Sequence, residues 1–363
     1  MKRNTLAKKL MAALLTGTMI MSMGMTSFAQ SQDGVIEANG SSISKVTLTK
    51  KISGADNEYA PNYTFTFSVS NDLTENELNY KADGSEANKN LSVKAGNMDA
   101  VGSHIEVPFV PEEGDPTAAG KVASSSVALR ASEYSEPGIY RYKITEDDVN
   151  YGGITKDSTV YYMDVYVTDA NEGKPYETDF EAFIKYVVVF KMKGETPTKS
   201  DLIFDNKYKT NKLTVKKIVA GNQGNRKQEF SFTIEINGQP GDRFTVTNGT
   251  VTYGEGGKAT IAAELHHDEE VSISGLSQDD TYMITETDYS SEGYETAITG
   301  ADRMTGLVAT GTVNVNDETV TYTNTKSADT PTGIAMTFAP YAVMVAFAGV
   351  FAVMFLRKKR EDF

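Results

Sequence analysis

Apolar and polar residues alternate along much of this 363-residue chain. Tyr63-Thr64-Phe65-Thr66-Phe67-Ser68-Val69 and Glu229-Phe230-Ser231-Phe232-Thr233-Ile234 are clear examples. A period of two puts every second side chain on one face, so each run predicts a strand with one side buried. Many such short runs, separated by Gly, Asn, Asp and Ser turns, predict an all-β chain folded into sandwiches. No segment outside the two termini has a convincing helical period.

Three polar residues recur among these alternating runs, twice and in one order. Lys50 ends Lys45-Val46-Thr47-Leu48-Thr49-Lys50, Glu146 ends Tyr142-Lys143-Ile144-Thr145-Glu146, and Asn206 follows Phe204-Asp205. Lys217 then closes Lys212-Leu213-Thr214-Val215-Lys216-Lys217, Glu286 ends Tyr282-Met283-Ile284-Thr285-Glu286, and Asn324 follows Tyr322-Thr323. The repeat divides the chain into two tandem domains, residues 30–209 and 210–326. Aligning the copies matches Lys50 with Lys217 and Lys51 with apolar Ile218, so Lys50 is expected to face inward and Lys51 outward. The first copy is longer, and its excess between Asn71 and Val122 reads as surface loops with short strands at Leu91–Val93 and His104–Val110. The connection Lys207–Asn211 is short, which predicts domains set end to end with limited freedom.

Lysine and glutamate are rarely buried singly, so any one of these residues alone would be read as an ordinary strand position. Two aligned triples point to chemistry. Burial disfavours charged forms, lowering a lysine pKa and raising that of a glutamate. A neutral amine would then attack the Asn carbonyl, with a protonated Glu hydrogen-bonded to its oxygen and moving protons as ammonia leaves. Holding the groups side by side on neighbouring strands supplies an effective molarity of about 10⁵ M or more. The product would be a Lys–Asn amide crosslink inside each domain, formed once, with no cofactor and no metal.

The termini place this chain outside the cell. Lys2, Arg3, Lys8 and Lys9 precede an uncharged apolar stretch, Leu10 to Met25, and Ser27-Phe28-Ala29 supplies small residues for signal-peptidase cleavage between Ala29 and Gln30. At the other end Thr330-Pro331-Thr332-Gly333 precedes an apolar run, residues 334–356, long enough to span a bilayer, and then a basic tail, residues 357–363. This arrangement resembles a sortase cell-wall sorting signal, in a shortened Pro-Thr-Gly form without the usual leucine. The resemblance implies cleavage between Thr332 and Gly333, residues 327–333 serving as spacer and motif.

Removing residues 1–29 and 333–363 takes away eight basic and two acidic residues, moving the net charge from −14 to −20. That argues against partners such as nucleic acid or an anionic membrane and suits a solvated extracellular stalk. There are no cysteines, so neither a disulfide nor a cysteine thioester is available. An exported β protein without disulfides needs another staple.

With the sorting signal, the repeated triple resembles the backbone subunits of Gram-positive, sortase-assembled pili, whose domains carry streptococcal-type isopeptide linkers, and the resemblance implies two tandem Ig-like, collagen-adhesin-B-like β-sandwiches. The resemblance spans nearly all of the mature chain. It implies that Lys50 and Lys217 are nucleophiles, Asn206 and Asn324 amide acceptors, and Glu146 and Glu286 the catalytic acids. Implied partners are a sortase, other pilin subunits in a covalent homopolymer, and peptidoglycan, with transient membrane anchoring through 334–356. The acceptor amine between subunits would be a lysine ahead of the Asn-bearing strand. Lys199 stands there after a Gly-Glu-Thr-Pro turn expected to expose it, with Lys191 and Lys193 as alternatives.

Two other readings compete. A monomeric wall-anchored adhesin would use the Asn71–Val122 loops to bind a ligand. A secreted enzyme would need a nucleophile–His–acid set, and the three histidines, His104, His266 and His267, sit in loop-like settings. His266-His267-Asp268-Glu269-Glu270 reads as a charged turn rather than a metal site.

Overall fold

The computed structural model describes residues 34–54, 57–80, 92–111, 121–172 and 179–328, with a few helical positions between 341 and 348. Ala29, Gln30, Thr330, Pro331, Thr332 and Gly333 lie outside the described residues, as does most of 334–356. Among the described residues no helix is long and apolar enough to cross a membrane.

Strands make four sheets, two before Lys209 and two after it. In the first pair, an eight-stranded sheet includes Tyr63–Ser70, Gly138–Glu146, Tyr161–Asp169 and Ala182–Lys193. Facing it is a four-stranded sheet ordered Val122–Ala128, Lys45–Ser53, Ile203–Tyr208, Ile154–Thr155. In the second pair, a five-stranded sheet places Asn211–Ala220 beside Glu318–Thr325, with Glu295–Thr299 at its edge. Opposite lies a six-stranded sheet containing Phe230–Asn237 and Thr281–Glu286. The alternation predicted from sequence is the reason each sheet has an inner face. Phe65, Phe67 and Val69 are buried in one core, and Phe230, Phe232, Ile234 and Ile236 in the other.

Both lysines sit inside their strands, whereas the sequence pattern ends each strand at its lysine. The strand continues to a glycine with a left-handed backbone, Gly54 at φ 95° and Gly221 at φ 87°. A Cβ at Gly54 would lie 2.5 Å from the Tyr208 carbonyl oxygen, and one at Gly221 2.2 Å from that of Lys326. Both reasons for glycine, the backbone and the close approach, therefore recur at the same offset in each domain.

The segment from Asn71 onward is more than surface loop. Tyr161–Asp169 is buried at seven consecutive positions and so needs cover on both faces. Leu73, Tyr80 and Val93 supply it, packing with Ile139, Tyr162, Tyr166, Val188 and Phe190 on the outer face of the large sheet. A one-turn helix, Glu75–Asn79, is started by a reciprocal Thr74–Glu77 capping box. It is too short to show a period, although Thr74-Glu75-Asn76-Glu77 is a readable capping signature. Beneath it Arg141 forks onto Asp164 at 2.6 and 2.7 Å and donates to the Glu77 and Tyr80 carbonyls.

Only Lys209 and Thr210 separate the last strand of one sandwich from the first of the next. Polar contacts cross the junction: Tyr151 donates to Asp242, Asn62 Nδ2 donates to the Pro240 carbonyl at 2.7 Å, and the Tyr208 and Ser277 hydroxyls meet at 3.2 Å.

Candidate functional site

Each triple is drawn together by two strands of one sheet and a third from the sheet facing it. Lys45–Ser53 and Ile203–Tyr208 run parallel, with Lys50 opposite Phe204 and Asn206 two residues on. Asn211–Ala220 and Glu318–Thr325 also run parallel, with Lys217 opposite Tyr322 and Asn324 two residues on. Residues two apart share a face, so lysine and asparagine both point inward. Glu146 and Glu286 come from across the sandwich, paired with Phe67 and Phe232 respectively. Sequence reasoning had placed the groups on neighbouring strands, and for the glutamates the facing sheet is the correction.

All six residues are buried. In the first domain Lys50 Nζ lies 3.1 Å from Glu146 Oε2, and Asn206 Nδ2 donates to Glu146 Oε1 at 2.7 Å. One carboxyl thus touches both nitrogens that an amide exchange would involve. The Asn206 carbonyl oxygen accepts the backbone N–H of Asp157 at 2.7 Å, which fixes the orientation of the amide. Glu146 therefore faces the amide nitrogen, not the carbonyl oxygen as expected from sequence.

In the second domain Lys217 Nζ lies 2.5 Å from Glu286 Oε1. Glu286 Oε2 takes the Thr296 hydroxyl at 3.0 Å, and that hydroxyl is also 3.0 Å from Asn324 Oδ1. Asn324 Nδ2 is buried without a hydrogen-bond partner. Neither Asp157 nor Thr296 was singled out from the sequence. The signal for Thr296 is its register, since it pairs directly with Asn324 from the adjacent edge strand.

The surroundings of the amines are apolar. Lys50 Nζ is 4.9 Å from the Phe65 ring centre and Lys217 Nζ 4.1 Å from that of Phe230. Burial lowers the pKa of Lys50 even against the pull of Glu146, and burial raises that of Glu146 despite Lys50. Burial brings Lys217 down to about 8, against the opposing pull of Glu286. A buried Lys–Glu pair in this setting is one proton transfer away from a neutral amine and a carboxylic acid.

Lys51 is exposed, whereas Lys50 is fully buried. Lys199 is half-buried and lies on an edge strand, Thr196–Lys199, opposite Phe190, so it is a strand residue rather than a loop lysine. Lys193 is exposed, and Lys191 is half-buried with its Nζ 5.5 Å from the Tyr161 ring centre. Among the described residues no group of three or more His, Asp or Glu side chains forms a metal-binding cluster. His267 Nδ1 accepts the Val219 N–H at 3.0 Å and His266 contacts Glu269, so this turn is held by its own side chains.

Residues 46–209 match the Spy0128-like isopeptide containing domain, and residues 211–326 match a domain of unknown function. A pilin of Streptococcus pyogenes serotype M1 is 30% identical over 97% of this chain and 99% of its own length. The pilus tip adhesin Cpa of Streptococcus pyogenes is 34% identical, over only 34% of this chain and 18% of its own. The structure of the major pilin T3.2 of Streptococcus pyogenes is similar with a TM-score of 0.58 at 23% identity, covering 81% of this chain and 99% of that one. That likeness establishes the two-sandwich fold.

Proposed function

Because this chain belongs to the pilin family, we propose that it is a pilus shaft subunit whose two domains each close their own Lys–Asn isopeptide bond. The observation that carries this reading is the repeated burial of lysine, glutamate and asparagine at one shared strand register. In the first domain a Lys50 proton passes to Glu146, and the neutral Nζ attacks the Asn206 side-chain carbonyl carbon. The new C–Nζ bond forms as the C–Nδ2 bond breaks. Glu146 passes its proton to the departing nitrogen and takes the second Nζ proton in its place, so ammonia leaves, the new amide keeps one hydrogen and the carboxyl remains the acid. The contacts from one carboxyl to both nitrogens favour this route. Lys217, Glu286 and Asn324 do the same in the second domain.

The bond would tie two adjacent parallel strands that lie at opposite ends of each domain sequence. Tension entering one strand then leaves through the other without opening the sheet. Sortase cleavage between Thr332 and Gly333 would supply the acyl group for polymerisation, and Lys199 the acceptor amine. The product is a covalent homopolymer at the cell surface, joined in turn to peptidoglycan.

Intact mass of the 30–332 fragment tests the intramolecular bonds. Two bonds remove two ammonia molecules, and an unshifted mass sinks the chemistry. Boiled wall extracts test polymerisation: a high-mass ladder that collapses with Lys199→Ala is expected. Monomer alone from the unaltered chain would defeat the shaft reading and leave a monomeric wall-anchored protein.

A further inference from the structure

We propose that the Thr296 hydroxyl is a catalytic donor to the Asn324 carbonyl oxygen, taking in the second domain the place that the Asp157 backbone N–H holds in the first. This rests on the crosslinking reading above and adds a residue to it. The edge strands explain the exchange. In the first domain the strand Ile154–Thr155 pairs with Tyr208 and Lys207 and then leaves the ladder. The next residues turn back, with Asp157 accepting from Asp205 N at 2.9 Å and from Thr159 N at 2.9 Å, which aims the Asp157 N–H at Asn206 Oδ1. In the second domain the equivalent edge strand, Glu295–Thr299, stays in register with Thr299 opposite Thr321 and Thr296 opposite Asn324. A regular strand offers no free backbone N–H at that point, and a side chain supplies the donor.

Proton counting gives the direction. A hydroxyl has one hydrogen to donate, yet Thr296 Oγ1 lies 3.0 Å from both Glu286 Oε2 and Asn324 Oδ1. Both contacts are hydrogen bonds when Glu286 is the acid: its hydrogen points to Oγ1, and the Thr296 hydrogen points to Oδ1. That is the state left when Lys217 has given a proton to the carboxylate. Lys217 Nζ then attacks the Asn324 carbonyl carbon, and the charge gathering on Oδ1 meets a hydrogen bond already in position. As the C–Nδ2 bond breaks, one proton moves from Nζ by way of Glu286 to Nδ2, and ammonia leaves. The unpartnered Nδ2 is the group the reaction removes, so its departure also relieves a buried donor without an acceptor.

The test follows both bonds at once in the 30–332 chain. Cell-free synthesis is pulsed, quenched in acid at intervals and digested, and the Lys50–Asn206 and Lys217–Asn324 peptides are quantified by mass spectrometry. Thr296→Val keeps the shape and β-branching while removing the hydroxyl. It should slow the second bond on the order of 10²-fold and leave the first, its internal reference, unchanged. Thr296→Ser should restore the rate to near that of the unaltered chain. Equal second-bond rates in Thr296→Val and the unaltered chain overturn the proposal. So does a Thr296→Ser chain as slow as Thr296→Val, because the methyl group would then be what matters. An unaltered chain that forms neither bond instead brings down the crosslinking reading itself.

Discussion

The first cluster is closed around its glutamate and the second around a threonine. Glu146 reaches both the amine and the amide nitrogen, while the Asn206 oxygen is held from outside the triple by Asp157. Glu286 reaches only the amine, and Thr296 joins it to Asn324. Strand register, aromatic floor and burial are common to both. What differs is the edge strand beside the asparagine: two residues in one domain and five in the other. The sheet holds each triple in place, and its border determines which donor the asparagine carbonyl oxygen meets.

The largest effects should come from removing the carboxyls, since both domains depend on them. Glu146→Ala and Glu286→Ala are each expected to retain one ammonia in the intact mass. Each also loses a covalent closure of a loop of about 100 residues or more, worth about 5 kcal/mol. A buried lysine stripped of its partner adds a penalty of about 3–5 kcal/mol. Against domain stabilities of about 5–15 kcal/mol, the altered domain should unfold first by calorimetry while its neighbour keeps its own transition. A variant with the mass and transition temperature of the unaltered chain would break the assignment of that glutamate.

Asp157 is the sharpest point of contrast, because its backbone and its side chain do different work. Asp157→Pro removes the N–H aimed at Asn206 Oδ1 and should slow the first bond on the order of 10²-fold, with the second unaffected. Asp157→Ala keeps that N–H and loses only the bonds that aim it, so the first bond should form more slowly than in the unaltered chain and faster than in Asp157→Pro. It forfeits the carboxylate's bonds to Asp205 and Thr159, a loss of about 1 kcal/mol visible in denaturant unfolding. If the two variants behave alike in the crosslinking assay, the backbone donor is not what activates Asn206.

A smaller effect distinguishes the second cluster before and after reaction. In Asn324→Ala the Lys217 amine stays free, with burial holding it at about 8 against an ordinary 10.5. Between those values the unfolded chain binds more protons than the folded one, so stability should rise as pH climbs from about 8 to 10.5. Below about 8 the full penalty of burying the ammonium applies. Comparing Asn324→Ala with Asn324→Ala/Lys217→Met cancels the tyrosines that titrate in the same range. The crosslinked chain has no amine at this position and should show no such rise. A slope equal in both variants would place the titration elsewhere.

Much of this was legible in the sequence because it depends on parity. Alternation gave the strands, and the repeat matched Lys50 with Lys217, Glu146 with Glu286 and Asn206 with Asn324. Alternation does not say which sheet a strand joins, so the glutamates' position across the core was not readable. Asp157 meets Asn206 through a backbone N–H that any residue but proline carries, and it left no trace in residue type. Thr296 is one of many threonines on alternating strands, and only its pairing with Asn324 separates it from them. The cover over the large sheet was missed for a related reason. The apolar run Tyr161-Tyr162-Met163-Asp164-Val165-Tyr166-Val167, interrupted by Asp164 alone, signals a second buried face without saying what lies on it.

The smallest expected effect bears on that parity directly. Lys50 and Lys51 are adjacent, and a shift of one residue would exchange them. Lys51→Ala removes an exposed amine and should change unfolding free energy by no more than about 0.5 kcal/mol, with both ammonia losses intact. Lys50→Ala should retain one ammonia, because Lys51 cannot reach the core without turning Val46, Leu48 and Ile52 outward with it. Those three side chains lie in the same core as Phe65 and Phe204, so the register is held by packing rather than by the reaction. A Lys50→Ala chain that still loses two ammonia molecules would mean the strand slips. The amine would then select the register, instead of the register selecting the amine.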